Sequence, residues 1–394
     1  MTTIQLAERI DRIKPSATLA VSQKANVLKA SGKDILNLSV GEPDFDTPVH
    51  IKQAAIEALK QGFTKYTPTV GTLSLRKAIC EKLSKENHIN YDPKQIVVSC
   101  GAKQSLFNLT QVLLNPGDEV ILPAPFWSSY AEMVLLVRGK PVIIPTKKEN
   151  RFILTADELR AHITPKTRLI MLNSPNNPSG MVYSLQDWQA IAEVLLEHPN
   201  IIICTDDIYE KIIWNHLPFT NILNACPDLY DRTVIINGVS KAYAMTGWRI
   251  GYAAGPQTIM TAMEKIQSQC TSGPNSIAQY AAECAILSSQ QCVSDMVVAF
   301  KERHDFALNK VNAISGLHSL AADGAFYLFI DAHGAMDKLG MQDDIVFAEY
   351  LLSEAEVAVV PGSAFAVPGF FRLSIATDIA TIDRAIKQIA AVIK

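Results

Sequence analysis

The chain has 394 residues, of which 48% are hydrophobic and 19% are charged, and its formal net charge is −3. This composition excludes a disordered or repetitive polymer, and without a Lys/Arg block there is no electrostatic basis for a nucleic-acid or anionic-membrane surface. Because single hydrophobic cores stop growing at roughly 250 to 300 residues, the length predicts two domains. We expect a small-molecule ligand.

The cysteines, the histidines and the first residues argue against several other classes of protein. The seven cysteines include no CxxC pair and the eight histidines no HExxH pair, so neither a disulfide framework nor a metal site is expected. Glu8 and Asp11 precede any long apolar run, unlike a secretory signal, and no stretch reaches the ~18 apolar residues of a membrane span. We expect a cytoplasmic protein without nucleic-acid or membrane partners.

Short apolar runs alternate with amphipathic segments through the middle of the chain. In chain order, the predicted strands are Gln95–Ser99, Glu119–Leu122, Pro141–Ile144, Leu169–Asn173, Ile201–Thr205 and Thr233–Ile236. Helix-like stretches separate them. The alternation predicts an α/β fold with a mostly parallel sheet, whose ligand lies beyond the carboxyl ends of the strands.

The two ends of the chain predict a second, smaller α+β domain. From about residue 285 a long helical segment runs to Asn312, and the short strands Ala325–Ile330 and Phe371–Ile375 and a final helix follow. The first forty residues end in a candidate strand, Asp34–Val40, which we expect to pack with this C-terminal part. The predicted boundaries are 46–285 for the large domain and 1–45 with 286–394 for the small domain.

Polar residues that suit a binding site follow three of the predicted strands. Gly101–Gln104 opens a helix whose free N–H groups suit a phosphate, although a plain strand-to-helix turn fits this segment equally well. Asp206 and Tyr209 follow a second strand, where an aspartate also suits a helix N-cap. Lys241 and Arg249 follow a third. In apolar company a lysine amine is desolvated, which lowers its pKa and favours a nucleophile and base.

These groups together suit a phosphorylated pyridine aldehyde. The lysine amine would react with the aldehyde, and the carboxylate would keep the ring nitrogen protonated so that the ring can accept electrons. The arginine and the helix N-terminus would hold the phosphate. The residues therefore indicate a cofactor with the chemistry of pyridoxal 5'-phosphate.

The segment SKAYAMTGWRIG at 240–251 resembles the lysine signature of class I and II pyridoxal-phosphate aminotransferases. Further blocks resemble that family in the same order: SVGEPDFDTP at 39–48, KYTPTVGTLSLRKAI at 65–79, GAK at 101–103, PAPFW at 123–127, NSPNNPSG at 173–180, TDDIYE at 205–210 and FFRLS at 370–374. The resemblance covers essentially the whole chain and is closest to bacterial aspartate aminotransferases. It implies fold type I and a homodimer with its active sites at the subunit interface.

The resemblance also implies which residues hold the cofactor ring. Lys241 resembles the family's Schiff-base lysine and proton shuttle, and Asp206 resembles the partner of the pyridine nitrogen. Tyr209 resembles the phenol that bonds the ring oxygen, and Asn177 resembles the amide that contacts this oxygen and the substrate carboxylate. Trp127 resembles the aromatic residue that stacks on the ring next to the substrate.

Further matches concern the phosphate and the substrate. Arg249 resembles the phosphate-binding arginine, which the backbone N–H groups of Ala102 and Lys103 would assist, together with Tyr66 from the other subunit. Arg372 resembles the arginine that holds the substrate α-carboxylate in a two-pronged salt bridge. The backbone of Gly41 would close over that carboxylate.

Two positions depart from the family's usual pattern. The family often has a phosphate-binding serine three residues before the lysine, where this chain has Gly238. The best-known aspartate aminotransferases bind the distal substrate carboxylate with an arginine of the partner subunit, but no arginine lies between Arg249 and Arg303. If the substrate is a dicarboxylate, a different cation must bind it here, and Lys103 is the candidate. In the subgroup that this chain most resembles, this cation is the lysine matching Lys103.

The resemblance implies an aminotransferase that converts L-aspartate and 2-oxoglutarate to oxaloacetate and L-glutamate in a ping-pong cycle. Ser16 and Thr18 are candidate helpers in binding the dicarboxylate. An aromatic or prephenate aminotransferase is the alternative, because one lysine is a less exacting partner than an arginine fork. A β-eliminating lyase fits less well. The fold also occurs as an effector-binding module fused to a DNA-binding domain, for which the forty residues before Gly41 are too few.

Overall fold

The computed structural model describes residues 4–214 and 217–393. Its α-helices are α1 Ala17–Ala30, α2 Val49–Lys60, α3 Leu73–Asn87, α4 Ala102–Leu113, α5 Ser129–Leu136, α6 Ala156–His162, α7 Leu185–Leu196, α8 Ile222–Ala225, α9 Gln257–Ser268, α10 Ser276–Leu287, α11 Gln291–Asn312, α12 His333–Lys338, α13 Asp344–Glu354 and α14 Ile379–Val392. Its strands are β1 Leu36–Asn37, β2 Ile96–Ser99, β3 Glu119–Ala124, β4 Lys140–Pro145, β5 Thr167–Asn173, β6 Ile202–Asp206, β7 Thr233–Gly238, β8 Gly251–Ala254, β9 His318–Ser319, β10 Tyr327–Asp331, β11 Val357–Ala358, β12 Val360–Pro361 and β13 Phe370–Ser374.

Within the described residues, seven strands form one sheet in the order β2-β8-β7-β6-β5-β3-β4. Neighbouring strands run parallel except at β8, which is antiparallel to both β2 and β7. The register places Asp206 of β6 between Asn173 of β5 and Ile236 of β7. The predicted α/β fold with a mostly parallel sheet is confirmed, and the polar ends of these strands meet at one edge.

The period-two alternation of β5 explains how this sheet is covered on both faces. Ile170 and Leu172 belong to a hydrophobic core on one side, whereas Leu169 and Met171 belong to a separate core on the other side. Successive side chains of a strand point to opposite faces, so a strand buried on both faces is apolar throughout. Helices α2, α3 and α10 pack together, as do α4 and α9.

The C-terminal part and the first strand form a separate layer. Strands β12-β13-β10-β9 make an antiparallel sheet, and β1 pairs in parallel with β11. Buried aromatic residues, among them Phe300, Phe326, Phe347 and Phe371, fill a core of their own here. The prediction that the N-terminal strand packs with the C-terminal part is therefore confirmed.

Several predicted boundaries were wrong, three of them for identifiable local reasons. The strand predicted at 34–40 ends at Asn37, because the Asn37 side chain accepts hydrogen bonds from the Ser39 backbone and hydroxyl. The helix predicted to continue to Asn312 is interrupted after Leu287, where the Gln290 amide donates to three backbone carbonyls. The strand predicted from Ala325 begins at Tyr327, since Ala325 has a φ of 59°.

Between residues 4 and 214 and between 217 and 393, no helix has both the length and the apolar character needed to cross a membrane.

Candidate active site

A cavity of about 280 Å³ lies at the carboxyl edge of the seven-stranded sheet, where residues of the C-terminal part close it. Predicted site residues line it: Gly41, Ala102, Lys103, Trp127, Asn177, Asp206, Tyr209, Lys241, Arg249 and Arg372. Ser16 and Thr18 at the start of α1 line it as well. Tyr66 is not part of the lining, and its side chain is fully exposed. The structure thus brings all but one of the predicted residues together.

Backbone at the start of α4 forms the first end of the cavity. The N–H groups of Ala102 and Lys103 belong to the first turn, so they have no partner within the helix and can bind an anion. Gly101 has a φ of 86°, and a Cβ there would lie 2.1 Å from Nη2 of Arg249. A Cβ at Gly251 would lie 2.1 Å from the Ala102 nitrogen. Both glycines are needed for this close approach.

Arg249 is held against the same turn. Its backbone is left-handed, with a φ of 57°, and its guanidinium donates to the carbonyls of Thr246 at 2.8 Å and Cys100 at 3.3 Å. Gly238, which replaces the family's usual serine, packs so closely that a Cβ there would lie 2.9 Å from the Cα of Gly251. Side chain and helix dipole together make this end cationic.

Asp206 ends β6 and is almost completely buried. Its carboxylate accepts hydrogen bonds from the Tyr130 hydroxyl at 2.6 Å and the Ile208 backbone N–H at 3.3 Å. Burial raises the pKa of Asp206 to about 6, although these hydrogen bonds and the charge of Lys241 act against the shift. A cationic group in the cavity would favour the charged form.

Tyr130 was not identified from the sequence. It lies on α5, just beyond the carboxyl end of β3, and its ring stands edge-on to Trp127 at 5.6 Å. The only signal in the sequence was this position after a strand, three residues beyond Trp127.

Lys241 lies in the loop after β7. Its Nζ donates to the carbonyl of Gly41 at 2.6 Å, which joins the loop to the segment that follows β1. Burial lowers the pKa of Lys241 to about 8; the Glu42 carboxylate opposes the shift, and the charge of Arg372 adds to it. The shift enlarges the unprotonated fraction of the amine near neutral pH, and a base or nucleophile requires this form.

Arg372 on β13 is a buried cation at the other end of the cavity, with 1% of its surface exposed. Its guanidinium donates to Asn177 Oδ1 at 2.9 Å and to the Ser39 carbonyl at 2.6 Å, both neutral acceptors. Among the described residues its buried Nε has no hydrogen-bond partner. Because a buried guanidinium stays charged, this arrangement suits an incoming carboxylate.

Tyr327 is a second residue that the sequence did not reveal. Its hydroxyl shares a hydrogen bond of 2.8 Å with that of Tyr209, and its ring lies 4.4 Å from the Arg372 guanidinium. A Cβ at Gly41 would lie 2.6 Å from the Tyr327 oxygen, so only glycine fits there. Burial raises the pKa values of both tyrosines, and they remain neutral donors. No sequence motif contains both Tyr209 and Tyr327, so their contact could not be predicted.

Lys103 combines two environments. Its backbone belongs to the α4 turn, whereas its Nζ lies 4.7 Å from the centre of the Trp127 ring, a cation–π contact. Burial of part of the side chain and the charge of Arg249 lower its pKa. Lys103 lines the cavity on the side of Trp127, and within residues 4–214 and 217–393 its ammonium forms no ion pair with a carboxylate.

The set of donors suits organic chemistry at an anionic ligand better than metal chemistry. In the described ranges, 4–214 and 217–393, no group of three or more His, Cys, Asp or Glu residues could hold a metal ion. One end of the cavity can bind a phosphate, and the other can bind a carboxylate. An amine of lowered pKa and a buried carboxylate lie in the cavity between them.

Comparison with known proteins agrees with this geometry. The family described as "Aminotransferase class I and II" matches residues 33–389. The aspartate/prephenate aminotransferase of Nitrosomonas europaea is 54% identical over 99% of this chain and 100% of that protein. The aspartate aminotransferase of Rhizobium meliloti is 46% identical over 98% of this chain and 96% of that protein.

Solved structures extend the likeness to three dimensions. The crystal structure of an aspartate aminotransferase from Rhizobium meliloti superimposes with a TM-score of 0.95, covers 99% of this chain and 98% of its own, and is 46% identical. The aspartate aminotransferase of Thermus thermophilus with maleate gives a TM-score of 0.93 at 40% identity, covering 99% and 100% of the two chains. This chain belongs to the class I and II aminotransferase family.

Proposed function

We propose that this aminotransferase moves the amino group of L-aspartate to 2-oxoglutarate, giving oxaloacetate and L-glutamate, with pyridoxal 5'-phosphate as its cofactor. The observation that carries the proposal is one cavity in which the Lys241 amine and the buried Asp206 lie between an anion-binding helix turn and the buried Arg372. The order is ping-pong, so oxaloacetate leaves before 2-oxoglutarate binds.

The residues present fit the proposed cofactor. The α4 turn after Gly101 would hold a phosphate against its backbone N–H groups and Arg249, with Tyr66 of a second subunit completing the site. Asp206 would hold the pyridine nitrogen, and Tyr209 and Asn177 would bond the ring oxygen, beside the Trp127 ring. When bound, the cofactor supplies a protonated ring that accepts the electron pair left when the substrate loses its α-proton.

The chain's own residues would handle the proton. Lys241 Nζ, whose pKa burial lowers to about 8, can take a proton from the substrate Cα and return it nearby as a general base and acid. Asp206 is shielded from water and oriented by Tyr130, so its negative charge acts at short range on whatever cation lies beside it. The carbonyl of Gly41 orients the lysine amine.

Recognition of the substrate would use both cations on this side. Arg372 would bind the α-carboxylate as a fork, with Asn177 and the backbone of Gly41 beside it. Lys103 would bind the distal carboxylate, assisted by Ser16 and Thr18 from the start of α1. The Thermus thermophilus relative was solved with maleate, itself a dicarboxylate. Its likeness to this chain supports a dicarboxylate substrate.

We further propose the domain division 46–285 and 1–45 with 286–394, and a homodimer in the cytoplasm. Exposed apolar residues on α2, Val49, Ile56 and Leu59, are followed in the chain by the exposed Phe63 and Tyr66. Such a surface suits contact with a second copy that would receive this tyrosine at its phosphate site.

A panel of amino-donor half-reactions, followed by the absorbance of the bound cofactor, tests the proposal. Aspartate and glutamate should convert the cofactor fastest, without release of ammonia. Pyruvate or ammonia formation would instead indicate a β-eliminating lyase. Borohydride reduction and peptide mapping should label Lys241, and labelling of another lysine would contradict its assignment.

Prephenate amination is a second candidate function, and one finding favours it. The Nitrosomonas europaea relative, 54% identical over nearly the whole chain, is named for both aspartate and prephenate. Lys103 presents a single flexible ammonium instead of an arginine fork, which is compatible with ligands of different size. Prephenate offered as acceptor to the aminated enzyme tests this function, and a rate no higher than with pyruvate would count against it.

A further inference from the structure

The loop that carries Tyr66, residues 64–72, has an exposed aromatic side chain on a backbone that is fixed by hydrogen bonds. The Tyr66 side chain is fully exposed. Behind it the backbone is fixed, because the Gly71 N–H donates to the Pro68 carbonyl at 2.9 Å and the Val98 N–H of β2 donates to the Val70 carbonyl at 3.0 Å. The backbone of this Tyr66 loop is therefore held by hydrogen bonds, although the Tyr66 side chain is not buried by its own chain.

Gln279 of α10 clamps both arms of the Tyr66 loop. Its side chain is fully buried, its Oε1 accepts from the Thr72 N–H at 2.8 Å, and its Nε2 donates to Thr67 Oγ1 at 2.9 Å. The same nitrogen also donates to the Pro274 carbonyl at 2.8 Å. One buried amide thus ties residues on both sides of the loop to the start of α10.

Gln267 of α9 provides a second clamp and is also fully buried. Its Nε2 donates to the carbonyls of Thr69 at 2.7 Å and Val98 at 2.8 Å. Its Oε1 accepts from Ser99 Oγ at 2.7 Å and from the Asn108 amide of α4 at 3.0 Å. Buried amides whose hydrogen bonds are all satisfied hold one geometry, since any shift would leave a polar group unpaired.

From this arrangement we propose that Gln279 and Gln267 are positioning residues that act on the active site of the other subunit. They hold the Tyr66 loop in its extended position before the two subunits meet, so that docking the tyrosine requires little further ordering. The inference rests on the proposed homodimer in which Tyr66 reaches the partner's phosphate site, and it assigns the two glutamines a function in trans.

Hydrogen exchange in the cofactor-free protein tests the clamp without any activity measurement. Gln279→Met keeps the size of the side chain but removes its hydrogen bonds. We expect amide exchange to speed up by roughly tenfold, the equivalent of one hydrogen bond, in residues 66–72 and to change little in the seven-stranded sheet. Gln269→Met, at an exposed glutamine close by, is the matched control. Equal exchange in both variants would overturn the proposal.

Mixed dimers test whether the effect is in trans. A Lys241→Ala protomer, tagged differently, is paired with a Gln279→Met protomer, so that only the site keeping Lys241 is active. This site receives the intact Tyr66 loop of the Lys241→Ala protomer. After dilution into a cofactor trap, the rate at which activity is lost gives the rate of cofactor release from this active site alone. We expect release at the wild-type rate in the mixed dimer and about tenfold faster release in the Gln279→Met homodimer. Fast release in both would overturn the proposal.

Tyr66→Phe in the same pairing separates this inference from the proposed dimer. Slow cofactor release could be restored in the mixed dimer that contains Tyr66→Phe but not in the one that contains Gln279→Met. The tyrosine would then act in trans, and the clamp inference alone would fail. If neither is restored, or the protein is monomeric, the shared site fails and the clamp with it. Should Gln279→Met fold poorly, Thr67→Val, which removes one acceptor of the same amide, takes its place with the same expected outcomes.

Discussion

The cavity end at the α4 turn, where we propose that the phosphate binds, is built mainly from backbone, whereas the opposite end is built mainly from side chains contributed by distant parts of the chain. At the first end, Gly101, Ala102 and Gly251 pack within van der Waals distance, and Arg249 lies against them. At the second, Arg372 reaches Ser39 and Asn177, which are 333 and 195 residues away in sequence. The backbone donors of the first end lie in one short motif, Gly101–Lys103, whereas the partners of Arg372 at the second end come from distant segments.

The two ends also differ in burial. Arg249 is exposed, so its charge is screened by solvent, and its site depends on the helix N-terminus and, in the proposed dimer, on a second subunit. Arg372 is almost fully buried with neutral partners, and its unsatisfied charge is available to one anion. We therefore expect substitutions at the second end to weaken the binding of substrates. Substitutions at the first end, or between the ends, should slow the reaction itself.

The largest effect is expected for Lys241→Ala, which removes the group between the two ends. Transamination should fall by roughly 10⁴-fold or more, the upper range for a single acid–base group, for all donors alike. Single-turnover absorbance measurements check this. The circular dichroism spectrum and cofactor binding should persist, since the loop is also held by other contacts. A variant with activity within tenfold of wild type would contradict the role of Lys241.

Asp206→Asn should be next, with kcat lowered by roughly 10² to 10³-fold, the range for removing one pre-organised electrostatic contact. Asp207→Asn should do much less, because the Asp207 carboxylate bonds Thr205 and Asn221 and does not line the cavity. Steady-state kinetics of the two variants decide the matter. If their severity were reversed, the assignment along this strand end would be off by one residue.

Arg372→Leu should weaken kcat/KM by about 2 to 5 kcal/mol, the effect of truncating one partner of a buried charge pair. All amino acids carry an α-carboxylate, so aspartate and phenylalanine should suffer equally. Competition assays with both donors measure this. A loss confined to aspartate would show that Arg372 binds the distal carboxylate instead.

Lys103→Ser should lower kcat/KM by less than Arg372→Leu does, and chiefly for donors with a second carboxylate. We expect kcat/KM for aspartate and glutamate to fall by about 1.5 to 3 kcal/mol, the value of a charge-assisted hydrogen bond, and by less for phenylalanine. Because the Lys103 backbone also lies in the α4 turn, the measurement needs saturating cofactor. Equal losses for both kinds of donor would make Lys103 a cofactor residue only.

The smallest effect concerns the pH dependence of stability without cofactor. Because burial raises the pKa of Asp206 to about 6, this carboxyl binds more protons in the folded state than in the unfolded state between about pH 4 and pH 6. Its own contribution to stability is therefore lost as the pH rises through this window. Asp206→Asn should raise the unfolding free energy by about 1 to 3 kcal/mol at pH 8 and leave it unchanged at pH 4.

Urea unfolding of the cofactor-free protein at both pH values measures this difference. Asp228→Asn, at an exposed aspartate, serves as the control. An Asp206→Asn variant less stable than wild type at pH 8 would show that the Tyr130 hydrogen bond outweighs the burial of the charge.

The sequence alone was sufficient for the sheet and for its polar edge. Apolar runs such as Leu169–Asn173 indicated strands because a strand buried on both faces must be apolar throughout. The polar groups after them, Asp206, Lys241 and Gly101, were located by the rule that parallel strands end at one edge. Resemblance to the family then connected Asn177, Trp127 and Arg372 with this edge, and the structure places them in the same cavity.

Only the tertiary structure brought Tyr130 to Asp206, Tyr327 to Tyr209 and the Gly41 carbonyl to Lys241. These pairs are 76, 118 and 200 residues apart, and no local propensity encodes which distant side chains will meet when the C-terminal layer packs on the sheet. Local propensity reports periodicity and turns, which depend on neighbours in sequence. Burial, and with it the pKa shifts of Asp206 and Lys241, depends on neighbours in space.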